Sequence, residues 1–583
     1  LAISIDLFIT VYTFSLMKTI GVVVMNFTVI SVIILALVYI HGSSSVAPPS
    51  SSTSSLTATV SLNLPGQGTI QGDFDTTSWS NQKFMRFLGI PYAESPTKDL
   101  RFKHAVKRLP WRHILDATNY GRRCPVITTI NEVNEAELKQ DLEDCLNLCV
   151  YTKNITALQP VMFYIYGGGF YNGSNIDHPP NFLLEKDIVL VVPNYRIGAL
   201  GWLSTRSKEM PGNAPVSDLY AALKWVQDYI HIFGGDAKQV TIFGQSAGTA
   251  MSGSLLLSPR TPGHFFQRSI QQSGSILASW GINHKPMEQV QRICKAVKCT
   301  SCETNNGLYQ CLRNVPVTTL LKATQEESFA PIVDDFYKIL PKEPAELIKD
   351  FNRSIPLMAG FTKHDGSFVL ASVYDGLKAA VGNFSHINVR KLATTILALA
   401  KDNTGLAENV LLRMLFSSDL LYSTDHKKAL PAYFDLSNIL AMKSPVITFA
   451  RKMHEKSLAP VYLYTFDYEG SNTRFGYEFG NEHYPFEGGV HHSNDNLYLF
   501  STHKLNKADS EVAKNMVELW TSFATSGKPS LGNILDILPM SSEDGPYFHI
   551  NATLTMDFDV LKELTSTVDD PENYKLDRPD IEF

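Results

Sequence analysis

The most constraining stretch of this chain is Gln239-Val-Thr-Ile-Phe-Gly-Gln-Ser-Ala-Gly-Thr-Ala250. Val240 to Phe243 is an apolar, largely β-branched run of the kind that forms a fully buried strand. It stops at Gly244-Gln245-Ser246-Ala247-Gly248, and the small residues that follow (Thr249, Ala250, Ser252, Gly253) predict the start of a closely packed helix. A strand that turns sharply into a helix through G-x-S-x-G presents its serine hydroxyl on a strained corner. That hydroxyl is a poor nucleophile unless a base lies beside it and backbone N–H groups face the oxyanion it creates. The flanking glycines let neighbouring backbone approach without a Cβ clash. Ser246 is the first candidate for chemistry.

The remaining chain repeats strand and helix patterns in the alternation expected of an α/β fold built on a large, mostly parallel sheet. Its 583 residues, 44% of them hydrophobic, can bury a sizeable core, and a net charge of −6 gives no basic footprint for nucleic acid. Thr59 to Ile70 alternates apolar and polar residues and predicts a hairpin. Pro160 to Tyr166, Asp187 to Val192, Ile355 to Gly360 and Pro460 to Phe466 read as further strands, the first followed by Gly167-Gly168-Gly169-Phe170. Ser217 is placed as the cap of an amphipathic helix carrying Leu219, Leu223, Val226 and Ile230. Helical patterns fill much of 276–350, most of 385–457 and about 508–526. With no repeat and no interdomain linker, residues 59–565 read as one domain with flanking helices. A Ser/Pro-rich stalk at 45–58 precedes it, and a polar tail at 566–583 follows.

The first 44 residues carry an export signal. Met17 and Met25 are the expected starts, Lys18 precedes an uncharged, mostly apolar run from Ile20 to Ile40, and serines near Ser44 offer a cleavage site. The run is also long enough to span a bilayer, so a retained signal-anchor through residues 20–40 is the rival reading. Lys18 on one side and no further Lys or Arg until Lys83 place the body outside in either case. Sequons at Asn154, Asn172, Asn352, Asn383 and Asn551 are candidate glycan acceptors. The seven cysteines point to disulfides with one thiol left over. Cys299 and Cys302 form a C-x-x-C, but no histidine lies nearby to complete a zinc site, and no metal is expected.

An activated serine needs a base, an orienting carboxylate and an oxyanion hole, and behind this kind of turn the partners follow in the order acid, then histidine. Two late strand ends supply them: Phe361-Thr-Lys-His-Asp-Gly366 offers Asp365, and Gly489-Val-His-His-Ser-Asn-Asp495 offers His492. From spacing alone His483 and His491 remain eligible as the base. Gly168, Gly169 and Ala247 are the expected donors of backbone N–H to the oxyanion.

Across about residues 60–560 the chain resembles the type-B carboxylesterase/cholinesterase family. The resemblance rests on Phe87-Leu-Gly-Ile-Pro-Tyr-Ala93, Glu143-Asp-Cys-Leu-Asn-Leu148, Tyr164-Ile-Tyr-Gly-Gly-Gly-Phe-Tyr171, Asn194-Tyr-Arg-Ile-Gly-Ala199, Gly244-Gln-Ser-Ala-Gly248 and Gly489-Val-His-His492. It implies an α/β-hydrolase fold, Ser246 as nucleophile, Asp365 as acid, His492 rather than His491 as base, and a hole from Gly168, Gly169 and Ala247. It further implies Cys124–Cys145 and Cys299–Cys311 disulfides and a buried free thiol at Cys149. Four positions depart from the family: Asp365 replaces the usual Glu, Ser493 replaces the glycine of cholinesterases, Leu219 replaces a common Gln, and Gln245 removes a carboxylate beside the serine. Residues 125–144 contain no aromatic side chain, so the cation–π platform for choline esters is missing. The Gly-Gln-Ser-Ala-Gly form and the Gly489, His492, Asp495 spacing look like insect juvenile hormone esterases and related insect esterases. The resemblance thus implies an exported serine esterase acting on small to medium carboxylic esters without a metal or organic cofactor. A cholinesterase-like adhesion protein is the alternative.

Overall fold

The structure is a computed structural model that describes residues 58–127, 141–382, 384–398, 406–480, 483–569 and 578. The apolar leader run at 20–40 and the Asn383 sequon lie outside the described residues.

Thirteen strands form the sheet. They are β1 (Val60–Leu64), β2 (Gly68–Thr76), β3 (Lys83–Pro91), β4 (Ile114–Asp116), β5 (Asn147–Thr152), β6 (Gln159–Ile165) and β7 (Val189–Pro193). The series continues with β8 (Gly235–Gln245), β9 (Arg268–Gln272), β10 (Leu357–Thr362), β11 (Val461–Phe466), β12 (Tyr547–Ile550) and β13 (Thr555–Asp557). Their order is β1-β2-β3-β5-β7-β6-β8-β9-β10-β11-β12-β13, with β4 paired to β2. From β7 to β12 every pairing is parallel, whereas the flanks are antiparallel apart from the parallel β2–β4 pair.

Parallel strands covered on both faces need continuous apolar sequence, and every residue of β7, β10 and β11 is buried. Four of the expected strands lie within two residues of β6, β7, β10 and β11, whereas β8 begins five residues before Val240, and the hairpin expected between Thr59 and Ile70 is β1–β2, which runs on to Thr76. After β6 the chain crosses to β7 on one side, then returns past β6 to β8 on the other. Such a reversal opens a crevice beyond the carboxyl ends of the strands. Gly167–Gly169 leave the end of β6, and Ser246 leaves the end of β8.

Helices flank the sheet: α1 (Ala214–Tyr229), α2 (Ala247–Leu257), α3 (Pro286–Ala296), α4 (Asn305–Leu312), α5 (Ser367–Val381), α6 (Arg474–Phe479) and α7 (Lys507–Ser526). All eleven positions of α2 are buried. Its small residues permit this, for a Cβ on Gly248 would collide with the Ile165 and Tyr166 carbonyl oxygens of the β6 end. A second apolar cluster, including Leu370, Val373, Leu392, Ile396, Phe434 and Phe486, packs the helices of 367–437 together beside the main core.

Two expectations change at helix ends. Ser217 does not cap α1: the helix starts at Ala214, with Pro215 in its first turn and Asn213 in the left-handed region before it. Pro215 presets the helical φ, while the Asn213 amide donates to the Ile332 carbonyl and the Asp334 carboxylate, and Ser217 Oγ accepts the Ala105 N–H instead. At the other end, Ser566–Asp569, placed in the polar tail, is docked. Asp435 accepts hydrogen bonds from the Thr567 N–H and hydroxyl and from the Val568 N–H.

Three disulfides close the described chain: Cys124–Cys145, Cys299–Cys311 and Cys294–Cys302. The last was not among the expected pairs; it ties α3, which carries Cys294, to the segment just before α4 that carries Cys302. Both C-x-x-C cysteines are thereby oxidised, and Cys149 is the buried free thiol.

Candidate active site

The β8–α2 corner places Ser246 at φ 57° and ψ −126°, a conformation that is costly for a residue with a Cβ. Its neighbours over-determine it. The Ser246 N–H donates to the Gln272 carbonyl at the end of β9 (2.9 Å), and its own carbonyl accepts from the Thr249 N–H. A Cβ on Gly244 would strike the Gly248 carbonyl, and one on Gly274 would strike the Ser246 carbonyl. Glycine at both positions is therefore a steric requirement of the corner. Within a buried stretch, Ser246 alone from Val240 to Ala250 retains partial exposure.

His492 reaches the same corner from the loop after β11. Its Nδ1–H donates to Asp365 Oδ1 at 2.6 Å, and Asp365, fully buried after β10, also accepts the Thr362 N–H at 3.2 Å. With Nδ1 protonated, the lone pair of Nε2 is the free acceptor, and the Gln245 Nε2–H donates to it at 3.2 Å. This network assigns the tautomer required of a base. The His492 ring lies over Phe368 at 4.8 Å between centroids.

The glycine run faces the corner. Gly168 (φ 111°) and Gly169 (φ 58°) both occupy conformations that favour glycine, and the Gly168 carbonyl is turned back to accept from the Tyr171 and Asn172 N–H groups. Ala247 is the first residue of α2, where N–H groups have no intrahelical partner. None of the Gly168, Gly169 and Ala247 N–H groups donates to another group among the described residues.

Sequence reading missed the residues that set this frame. His491 is not beside Ser246: its Nδ1 meets the Ser367 hydroxyl at 2.5 Å and its Nε2 meets Glu478 Oε2 at 3.3 Å, both in the interior. Burial holds the His491 imidazole below its ordinary pKa. Burial also opposes ionisation of Glu478, yet the Arg474 charge and the His491 contact bring its carboxyl down to about 2. Asp495 accepts from Gln272 Nε2 (2.8 Å) and the Tyr464 hydroxyl (3.2 Å), tying the histidine loop to the strand end that carries the Ser246 N–H. Burial, with the Asp365 charge adding to it, pushes the Asp495 carboxyl up to about 6. A π-helical turn at Asn438–Met442 offers Asn438 Oδ1 to the Gly366 N–H at 2.6 Å and so fixes the Asp365 turn. Asp495 stood in the Gly489, His492, Asp495 spacing, but no linear motif announces its partners or those of Glu478 and Asn438.

A mixed sheet with a parallel centre, flanking helices and a serine corner at the reversal point defines an α/β-hydrolase. The sequence profile described as "Carboxylesterase family" matches residues 57–567, so the chain belongs to that family, whose chemistry is carboxylic ester hydrolysis. Among curated relatives, "Esterase FE4" of Myzus persicae is 31% identical over 510 residues, covering 82% of this chain and 87% of the relative. "Juvenile hormone esterase" of Tribolium castaneum is 31% identical over 494 residues, covering 78% and 81%. "Glutactin" of Drosophila melanogaster is 29% identical over 516 residues; the match takes in 83% of this chain but about half of the relative's length (49%).

Proposed function

We propose that this protein is an exported serine esterase that hydrolyses small to medium carboxylic esters through Ser246, His492 and Asp365. The observation that carries the reading is the Asp365–His492 hydrogen bond at 2.6 Å, with His492 Nε2 on the side chain of Gln245, the residue that precedes Ser246. His492 Nε2 takes the Ser246 hydroxyl proton as Oγ bonds to the ester carbonyl carbon. The carbonyl oxygen becomes an oxyanion received by the N–H groups of Gly168, Gly169 and Ala247. Collapse expels the alcohol, which takes the proton from His492 and leaves an acyl-serine. Water, deprotonated by His492, repeats the attack and releases the acid. Asp365 holds the tautomer and stabilises the imidazolium. Gln245 occupies Nε2 in the resting state and must yield it to Ser246 as the substrate seats.

Three disulfides and four exposed sequons, at Asn154, Asn172, Asn352 and Asn551, support export and glycosylation. No helix among the described residues is long and apolar enough to cross a membrane, so anchoring would fall to residues 20–40.

The test is hydrolysis of p-nitrophenyl esters of graded acyl length by protein from a secretory host. Ser246→Ala is expected to lower kcat by at least about a thousandfold, since triad members act as a unit. Equal, background-level turnover by folded wild type and variant, with no organophosphonate labelling of Ser246, would sink the esterase reading and leave the adhesion reading in its place.

A further inference from the structure

A sizeable cavity lies away from the catalytic corner. It has a volume of about 250 Å³ and lies between the outer side of α1, the loop around Lys107 and the carboxyl end of α2. Ser246 is at the opposite end of α2, roughly 16 Å away along an eleven-residue helix. At ~30 Å³ per water, the space suits an organic molecule better than one or two bridging waters.

Its lining has two chemical halves. Tyr220, Trp225 and Leu255 supply an aromatic and aliphatic wall. Lys107, Lys224 and Arg260 stand at the rim. Lys224 is neutralised by Asp228 at 3.1 Å. The side chains of Lys107 and Arg260 form no ion pair among the described residues, so the mouth keeps two uncompensated positive charges beside an apolar wall.

We propose that this cavity is a second, non-catalytic binding site for an amphipathic monocarboxylate. The apolar tail lies against Trp225 and Leu255, and the carboxylate meets Lys107 and Arg260. Concave apolar sites with a few convergent polar groups are the usual form of small-molecule sites. The assignment stands on the apolar wall and on the two unpaired cations at its mouth, and does not depend on what Ser246 does.

The experiment is calorimetric titration of the whole protein with decanoate, before and after Ser246 is blocked with an organophosphonate. Saturable binding of one equivalent is expected in both. Reversing the rim charges with Lys107→Glu and Arg260→Glu, both exposed positions, should weaken binding at least tenfold with an unchanged unfolding transition. Filling the cavity with Ala221→Trp should abolish it. Absence of saturable binding, loss of binding on blocking Ser246, or full binding by the charge-reversed and filled variants would each overturn the proposal.

Discussion

At the scale of single residues, Gln245 separates this site from its cholinesterase-like relations. Its amide donates to His492 Nε2, so the residue before the nucleophile is neutral and already bonded to the base. Gln245→Glu would bring a carboxylate to the imidazolium formed in catalysis, and an opposite charge at that range favours the protonated ring. The acidic limb of the kcat/KM profile is expected to move up by about one pH unit, read from ester hydrolysis between pH 4 and 9; an unmoved limb would show that Gln245 does not face the base. Ser493 illustrates another departure. It adopts φ 67°, the left-handed region where glycine is easy and serine is strained. The Asn494 N–H still donates to the His491 carbonyl across it, so the turn survives the substitution. Leu219, in place of a common Gln, lies fully buried in the core, where an amide would need partners. Its neighbour Asp218 is committed to Arg196 at 2.6 Å.

At the scale of elements, the site depends on how closely α2 approaches β6. Gly248→Ala would drive a Cβ into the Ile165 carbonyl. Overpacking a rigid backbone contact is expected to cost about 3 kcal/mol, at the upper end of the usual range, in a urea titration. Activity should fall with it if Ala247, which opens the same helix, is the proposed oxyanion donor. The histidine loop is an element with its own pH dependence. Asp495 titrates at about 6 when folded, against an ordinary value of 3.8. A raised carboxyl contributes fully below the unfolded value and loses that contribution as pH rises through the folded one. Asp495→Asn removes this loss. Its stability relative to wild type should therefore climb by on the order of 2 kcal/mol between pH 4 and 7, and stay flat below pH 4. Denaturant midpoints across that range check the sign.

At the scale of the whole molecule, the disulfides staple two peripheral segments to a core that is already extensive. Cys124–Cys145 closes a separation of 21 residues, Cys299–Cys311 one of 12 and Cys294–Cys302 one of 8. Loop-closure entropy grows with the loop, so replacing Cys124 and Cys145 together by Ser should cost roughly 3 kcal/mol, and more than the same change at Cys294 and Cys302. Equilibrium unfolding of the two double variants ranks them. Cys149 stays out of this exchange: burial pushes its thiol up to about 12, so little reactive thiolate forms.

Much of this architecture was legible in the sequence because it rests on local rules. Apolar runs became the buried parallel strands, the G-x-S-x-G segment became the strained corner, and a glycine run became a stretch of free N–H groups. Those features are dictated by steric freedom and hydrophobic period, which neighbours in sequence carry. The choice among the histidines was not local. His483, His491 and His492 were equivalent by spacing, and only the fold set His492 beside Asp365 while sending His491 to Ser367 and Glu478. The same holds for Gln245 on the imidazole, Asp495 on Gln272, the Cys294–Cys302 bridge and the cavity at the end of α2. Each joins residues from separate elements, and which side chains meet is decided by strand order and helix packing.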